Sequence, residues 1–188
     1  RVEKIVYSLP RVKNTIGIIG VGRVGEALTH QVAMQLELLQ AAMNPTMQSS
    51  SNHYPKEPVR LLLYNHGTRV GRLEQARRVA LDDLAPKAAE RVAENLKRRG
   101  ETEFEGRLPK LELSVVNDLD AVLNAGIVVL SLGNHDMELE ARRDPATVEK
   151  KVTEMYRGYA LAIKEIYSRI SPHTSVIHVT NPPEKGMS

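Results

Sequence analysis

The residues best suited to chemistry in this chain begin at a run of glycines. Gly20, Gly22 and Gly25 stand in GVGRVG with G-x-G-x-x-G spacing, directly after an aliphatic run and directly before a helical pattern, which is the context the motif requires. Gly20 permits a tight turn, Gly22 leaves out the side chain that would block a pyrophosphate, and Gly25 lets the following helix approach the strand. Arg23 and Val24 complete the loop and open a helix whose first N–H groups carry partial positive charge. The pattern implies a cradle for a dinucleotide.

A second cluster, YNHGTRVGR, follows the run VRLLLY. Dinucleotide sites place Asp or Glu at the end of the second strand, against the ribose hydroxyls. Here the residue is Asn65, which still hydrogen-bonds a hydroxyl but has no charge to repel a 2′-phosphate. Thr68, Arg69 and Arg72 follow as candidate phosphate partners. The cofactor implied is NAD or NADP, with NADP slightly favoured by Asn65 and Arg69. The same residues equally fit a turn capped by Asn65, with the arginines facing solvent. Further along, IVVLSLG brings Gly133 and SVIHVTNPP brings Asn181 to the C-terminal tips of later strands, the edge where ligands of doubly wound sheets bind. The long charged link NHDMELEARRDP between them has the character of a lid, from which an arginine could clamp a carboxylate.

These residues need a scaffold, and the pattern supplies one. Short aliphatic runs at 15–20, 59–64, 111–116, 127–132 and 175–180 predict five buried strands. Helical spacing predicts helices over 24–43, 73–97, 118–124 with Asp118 as N-cap, and 146–170. Pro86 should split or kink the second of these. Strands alternating with helices imply an α/β fold, a Rossmann-type doubly wound parallel sheet. Residues 44–58 and 100–110 are polar stretches longer than a connection needs, and read as surface insertions. The organisation expected is an N-terminal extension over 1–14 and one dinucleotide-binding domain over 15–188. The start at Arg1 and the stop at NPPEKGMS, directly after a strand-like run, suggest a piece of a longer protein.

Composition narrows the function classes. With 188 residues, 41% hydrophobic and 26% charged, the chain suits a single globular domain and not a disordered or fibrous one. Aromatics are 4%, with no Trp and one Phe, so the core must be Val, Ile, Leu, Ala and Met. The absence of Cys excludes disulfides, thiolate zinc sites and cysteine nucleophiles. The net charge of +3 is not concentrated: Arg77-Arg78 and Lys97-Arg98-Arg99 lie among Asp and Glu, so no nucleic-acid partner is expected. No stretch approaches the ~20 apolar residues of a membrane span, and the opening RVEKIVYSLPRVKN lacks a signal-peptide core. No membrane partner and no metal site are expected, and a cytoplasmic location is the default.

The order of the glycine loop, LLLYN, DLDAVLNAGIVVLSLG, an arginine nine residues after Gly133, and VTNP resembles the N-terminal, cofactor-binding half of the lactate and malate dehydrogenase family. The likeness runs from about Thr15 to the C-terminus. It implies that Gly20, Gly22 and Gly25 form the pyrophosphate loop, that Asn65 is the adenosine-ribose position, and that Gly133 is a nicotinamide-side backbone contact. Arg142 takes the place of the mobile-loop arginine that polarises the substrate carbonyl, and Asn181 that of the asparagine that hydrogen-bonds the substrate oxygen. The implied partners are a 2-oxo or 2-hydroxy acid and further copies of the chain in a homo-oligomer. Two positions depart from the family. Asp136 stands at the substrate-specificity position, where its charge would repel a second carboxylate, and Leu139 stands where the lid usually has glycine. The family's proton-transferring histidine, its aspartate and its second carboxylate-binding arginine belong to a C-terminal half absent from this chain; His173, in a turn, and His178, in the last strand, do not replace them. Two other classes remain open: a divergent, non-catalytic dinucleotide-binding or interaction protein, and an NAD-dependent glycosidase of the related superfamily.

Overall fold

Runs rich in aliphatic and β-branched side chains give five short strands, of which the last, at the sheet edge, is mostly exposed and not buried as expected: β1 (Thr15–Ile19), β2 (Val59–Tyr64), β3 (Leu111–Val115), β4 (Ile127–Leu130) and β5 (Ser175–His178). The computed structural model describes residues 15–43, 57–65, 70–103, 105–132 and 148–179. The strands form one sheet in the order β3-β2-β1-β4-β5, and every neighbouring pair is parallel. Parallel neighbours cannot be joined by tight hairpins, so the helices lie in the crossovers and cover both faces. The fold is an α/β, Rossmann-type doubly wound sheet. The strand order reverses between β1 and β4, and the crevice at their C-terminal ends is where such folds bind ligands.

The period-two alternation of side chains sorts the strands into two cores. Ile16, Ile18, Val59, Leu61, Leu63 and Val129 face one layer, against helical Ala33, Leu36, Leu73, Ala76, Ala80 and Ala88. Ile19, Tyr64, Val128 and Leu130 face the other, against Leu119, Val122, Leu123 and Ile166. The first layer is built by α1 (Arg23–Met34), α2 (Leu36–Met43), α3 (Val70–Val79) and α4 (Ala85–Arg98), the second by α5 (Leu119–Leu123) and α6 (Val148–Arg169). Asp118 caps α5 as expected, its side chain accepting the Asp120 N–H at 3.0 Å. Arg169 of α6 grips Asp120 of α5 with two nitrogens, at 2.7 and 3.0 Å, and reaches Glu165 at 2.8 Å. Its hydrogen bond to Asp120, above all, raises its pKa further, so the charge is fixed.

Two helices differ from the sequence pattern. The single helix expected over 24–43 is interrupted at Gln35, whose backbone leaves the helical region at φ −105 and ψ 23. The restart turns Leu36 and Gln40 inward, and Gln40 donates through Nε2 to the Glu57 carbonyl at 2.5 Å, just ahead of β2. Around Pro86 there are two α-helices, α3 and α4, as the proline leads one to expect, but the junction between them lies ahead of the proline. A π turn, Ala80–Leu84, precedes α4, with the Ala85 N–H reaching back five residues to Ala80, and Pro86 falls in the first turn of α4. Proline has no N–H and its ring crowds the carbonyl four residues back; the wider turn accommodates both.

Of the two expected insertions, residues 44–56 lie outside the described residues, as does the extension 1–14. The segment 100–110 carries one 3-10 turn, Glu105–Arg107, and Arg107 pairs with Glu101. It is anchored at its end, where the Lys110 carbonyl accepts the Val59 N–H at 2.9 Å. Among the described residues no helix is long and apolar enough to cross a membrane, and no group of three or more His, Asp or Glu could hold a metal ion.

Candidate functional site

The chain leaves β1 at the switch point through a gap bounded by the ends of two neighbouring strands. Gly20 donates its N–H to the Tyr64 carbonyl of β2 at 2.9 Å, and the Ser131 N–H, one residue past β4, donates to the Ile19 carbonyl at 2.9 Å. The gap is tight. Gly20 has φ +92, and a Cβ there would overlap the Ser131 carbonyl oxygen, so both conformation and space require glycine. Val21 turns into the core at 1% exposure, and its N–H donates to Oδ1 of Asn65 at 2.6 Å.

Gly22 then caps α1 in an extended conformation with no side-chain hydrogen bond. Among the described residues, its chain neighbours apart, no heavy atom lies within 4 Å of the point where its Cβ would sit. Packing among the described residues therefore does not account for this glycine. The first helical bond is Glu26 N–H to the Gly22 carbonyl at 2.9 Å, so the N–H groups of the first turn have no carbonyl inside the helix to bond. Arg23 and Val24 are exposed at this turn, while Gly25 is buried. A Cβ on Gly25 would overlap the Gly20 carbonyl oxygen, which is the close helix–strand approach the spacing predicts. Thr29 reinforces the turn by donating its hydroxyl to the Gly25 carbonyl at 2.8 Å.

The structure thus brings Gly20, Gly22, Arg23, Val24, Gly25 and Asn65 together at the C-terminal edge of β1 and β2. Arg72, a candidate phosphate partner by sequence, is turned toward α1, with Nη1 at 3.7 Å from Oε2 of Glu26. Thr68, Arg69, Gly133, Asp136, Leu139, Arg142 and Asn181 lie outside the described residues. The strands that carry the chain toward two of them are neighbours: β4 and β5 are parallel, and the Val179 N–H still donates to the Leu130 carbonyl at 2.9 Å. His173 sits in the exposed turn before β5. His178 ends β5 with its ring stacked on Tyr167 of α6, centroids 5.8 Å apart, and Nε2 at 2.7 Å from the phenol oxygen.

The sequence did not reveal two of these contacts. The sequence points Asn65 either to a ribose or to a turn cap; in the structure its oxygen holds the glycine loop. The Tyr167–His178 pair joins a helix to an edge strand with no spacing to announce it. For Asn65 a signal existed: an acceptor side chain at a strand tip beside a glycine turn.

Comparison by sequence finds no matching family and no curated relative. Comparison by structure finds the malate dehydrogenase of Salinibacter ruber, at 16% identity and TM-score 0.39, over 89% of this chain and 37% of that one. It also finds the lactate dehydrogenase of Cryptosporidium parvum, described with lactic acid and nicotinamide adenine dinucleotide, at 15% identity and TM-score 0.42, over 90% and 38%. A third is the (S)-3-hydroxybutyryl-CoA dehydrogenase of Ralstonia eutropha, at 12% identity and TM-score 0.35, over 89% and 41%. The chain spans about two fifths of the length of these structures. The functional reading rests on the geometry of the loop itself.

Proposed function

We propose that this chain is the cofactor-binding domain of a nicotinamide-dependent oxidoreductase. The observation that carries the reading is the cradle at the β1–β4 switch point, in which Gly22 faces open space and the first turn of α1 offers its N–H groups. The backbone of residues 20–25 would hold the pyrophosphate, Asn65 would face the adenosine ribose, and Gly133 would contact the nicotinamide side. Without a carboxylate at Asn65, a 2′-phosphate meets no repulsion there, and Thr68 and Arg69 would give it partners, which favours NADP slightly over NAD. The nicotinamide, when bound, supplies hydride transfer.

The substrate class proposed is a 2-oxo or 2-hydroxy acid. Arg142 would polarise the reacting carbonyl as negative charge develops on its oxygen, and Asn181 would donate a hydrogen bond to the same oxygen. Asp136 would disfavour a substrate with a second carboxylate.

Calorimetric titration with ADP, NADH and NADPH tests the cofactor reading. Saturable binding of all three, with ADP displacing the dinucleotides, is the expected result; absence of binding by any of them overturns it. A protein that binds the dinucleotides but turns over no 2-oxo acid, in any longer form, would be the non-catalytic binding protein instead.

A further inference from the structure

The donors of the glycine loop divide between two neighbours. Gly20 N–H continues the ladder to β2 by reaching the Tyr64 carbonyl. The next amide, Val21, is buried and finds its acceptor in a side chain, Oδ1 of Asn65, 44 residues further along the chain. A donor must face an acceptor, which settles the orientation of the carboxamide: Oδ1 lies toward the loop and Nδ2 away from the Val21 amide. Two consecutive amides of the turn are therefore held by two consecutive residues at the tip of β2. This fixes the direction in which the chain enters Gly22 and α1, and a buried N–H left without its acceptor would drive the turn to rearrange.

We infer that Asn65 is a positioning residue for the phosphate cradle, acting through the Val21 N–H and independently of any contact it makes with a ribose. The inference deepens the dinucleotide reading and rests on it. An amide, a carboxylate or another acceptor of similar reach serves this role at position 65. A leucine, of nearly the same size, does not.

The test separates the loop from the ribose. Hydrogen exchange read by NMR at the Val21 amide reports the bond without ligand. ADP and 2′,3′-dideoxy-ADP, which lacks the ribose hydroxyls, report the cradle. In Asn65→Leu the Val21 amide should lose protection while Ile18 keeps it, and both nucleotides should bind about fivefold to tenfold more weakly, the scale of one lost hydrogen bond. Asn65→Asp should restore protection at Val21. Loss of affinity for ADP with dideoxy-ADP unchanged would overturn the inference, because Asn65 would then act only on the hydroxyls. An unprotected Val21 amide in the unmodified protein would overturn it equally, whether or not the leucine variant folds. If neither nucleotide binds the unmodified protein, the dinucleotide reading itself has failed.

Discussion

Gly25 lies so close beneath the carbonyl of Gly20 that a methyl group at position 25 would overlap that oxygen. The two glycines set how near α1 comes to β1, and Gly22 between them is free of this constraint. Gly25→Ala should therefore destabilise the fold by about 1–3 kcal/mol, the cost of forcing one extra carbon into a filled space. Gly22→Val, whose Cβ would meet no heavy atom of the described residues beyond its chain neighbours, should cost only about 0.5–1 kcal/mol, the loss of a better helix cap, and abolish ADP binding. Thermal melts with titrations on both variants check the pair. A Gly22→Val protein that binds ADP normally would remove the cradle from the site.

Asp118 offers a test on the opposite face. Its carboxylate accepts the Asp120 N–H at the start of α5, a helix of five residues that buries Leu119, Val122 and Leu123. So short a helix is held by its cap and its contacts. Asp118→Ala should lower stability by about 0.5–2 kcal/mol, whereas Asp118→Ser should retain most of it. Urea denaturation distinguishes them, and equal loss in both would mean that the carboxylate acts other than as a cap.

How much of this was legible in the sequence depends on range. The strand starts at Thr15, Val59, Leu111, Ile127 and Ser175 were all visible, because each opens a short run rich in aliphatic residues, but their burial was not, since β3 and β5 lie at the sheet edges, with Glu112 and Ser114 exposed and β5 mostly exposed. Asp118 was visible for the same local reason. The interruption at Gln35 was not, since Leu36 and Leu39 continue the helical spacing. Pro86 announced a perturbation but not its form, because a π turn and a kink relieve the same clash. At the site, the spacing announced the tight turn at Gly20 and the close helix–strand approach at Gly25. The hydrogen bond from Val21 to Asn65 depends on the register that sets Ile19 beside Tyr64, and no local pattern encodes that.

Arg142 lies in the polar link after β4, where its replacement removes no core contact that the sequence predicts. In a form of the protein that turns over a 2-oxo acid, Arg142→Ala should lower kcat/KM by orders of magnitude, as loss of a charge that stabilises the developing oxyanion does. Its melting temperature should stay nearly constant. Retained activity with a melting loss of several degrees would assign Arg142 to the fold.

On the proposed reading, cofactor choice turns on Asn65 with Arg69. If both face the ribose, the Asn65 carboxamide brings no charge there, and Arg69 adds a charge-assisted hydrogen bond worth roughly 1.5–3 kcal/mol to a 2′-phosphate. NADPH should then bind at least as tightly as NADH, with a preference that weakens as salt screens the phosphate. Asn65→Asp is the sharper measurement, because an aspartate keeps an acceptor for the Val21 N–H, which Oδ1 of Asn65 now meets at 2.6 Å, and so leaves the loop in place. The one thing it adds is a negative charge, which on this reading falls beside the ribose. That charge should weaken NADPH far more than NADH, and the gap between the two should narrow in high salt. Fluorescence titration of both proteins with both cofactors decides it. If the unmodified protein binds NADH tenfold or more tightly than NADPH, Arg69 does not reach the ribose and the uncharged amide serves its hydroxyls alone.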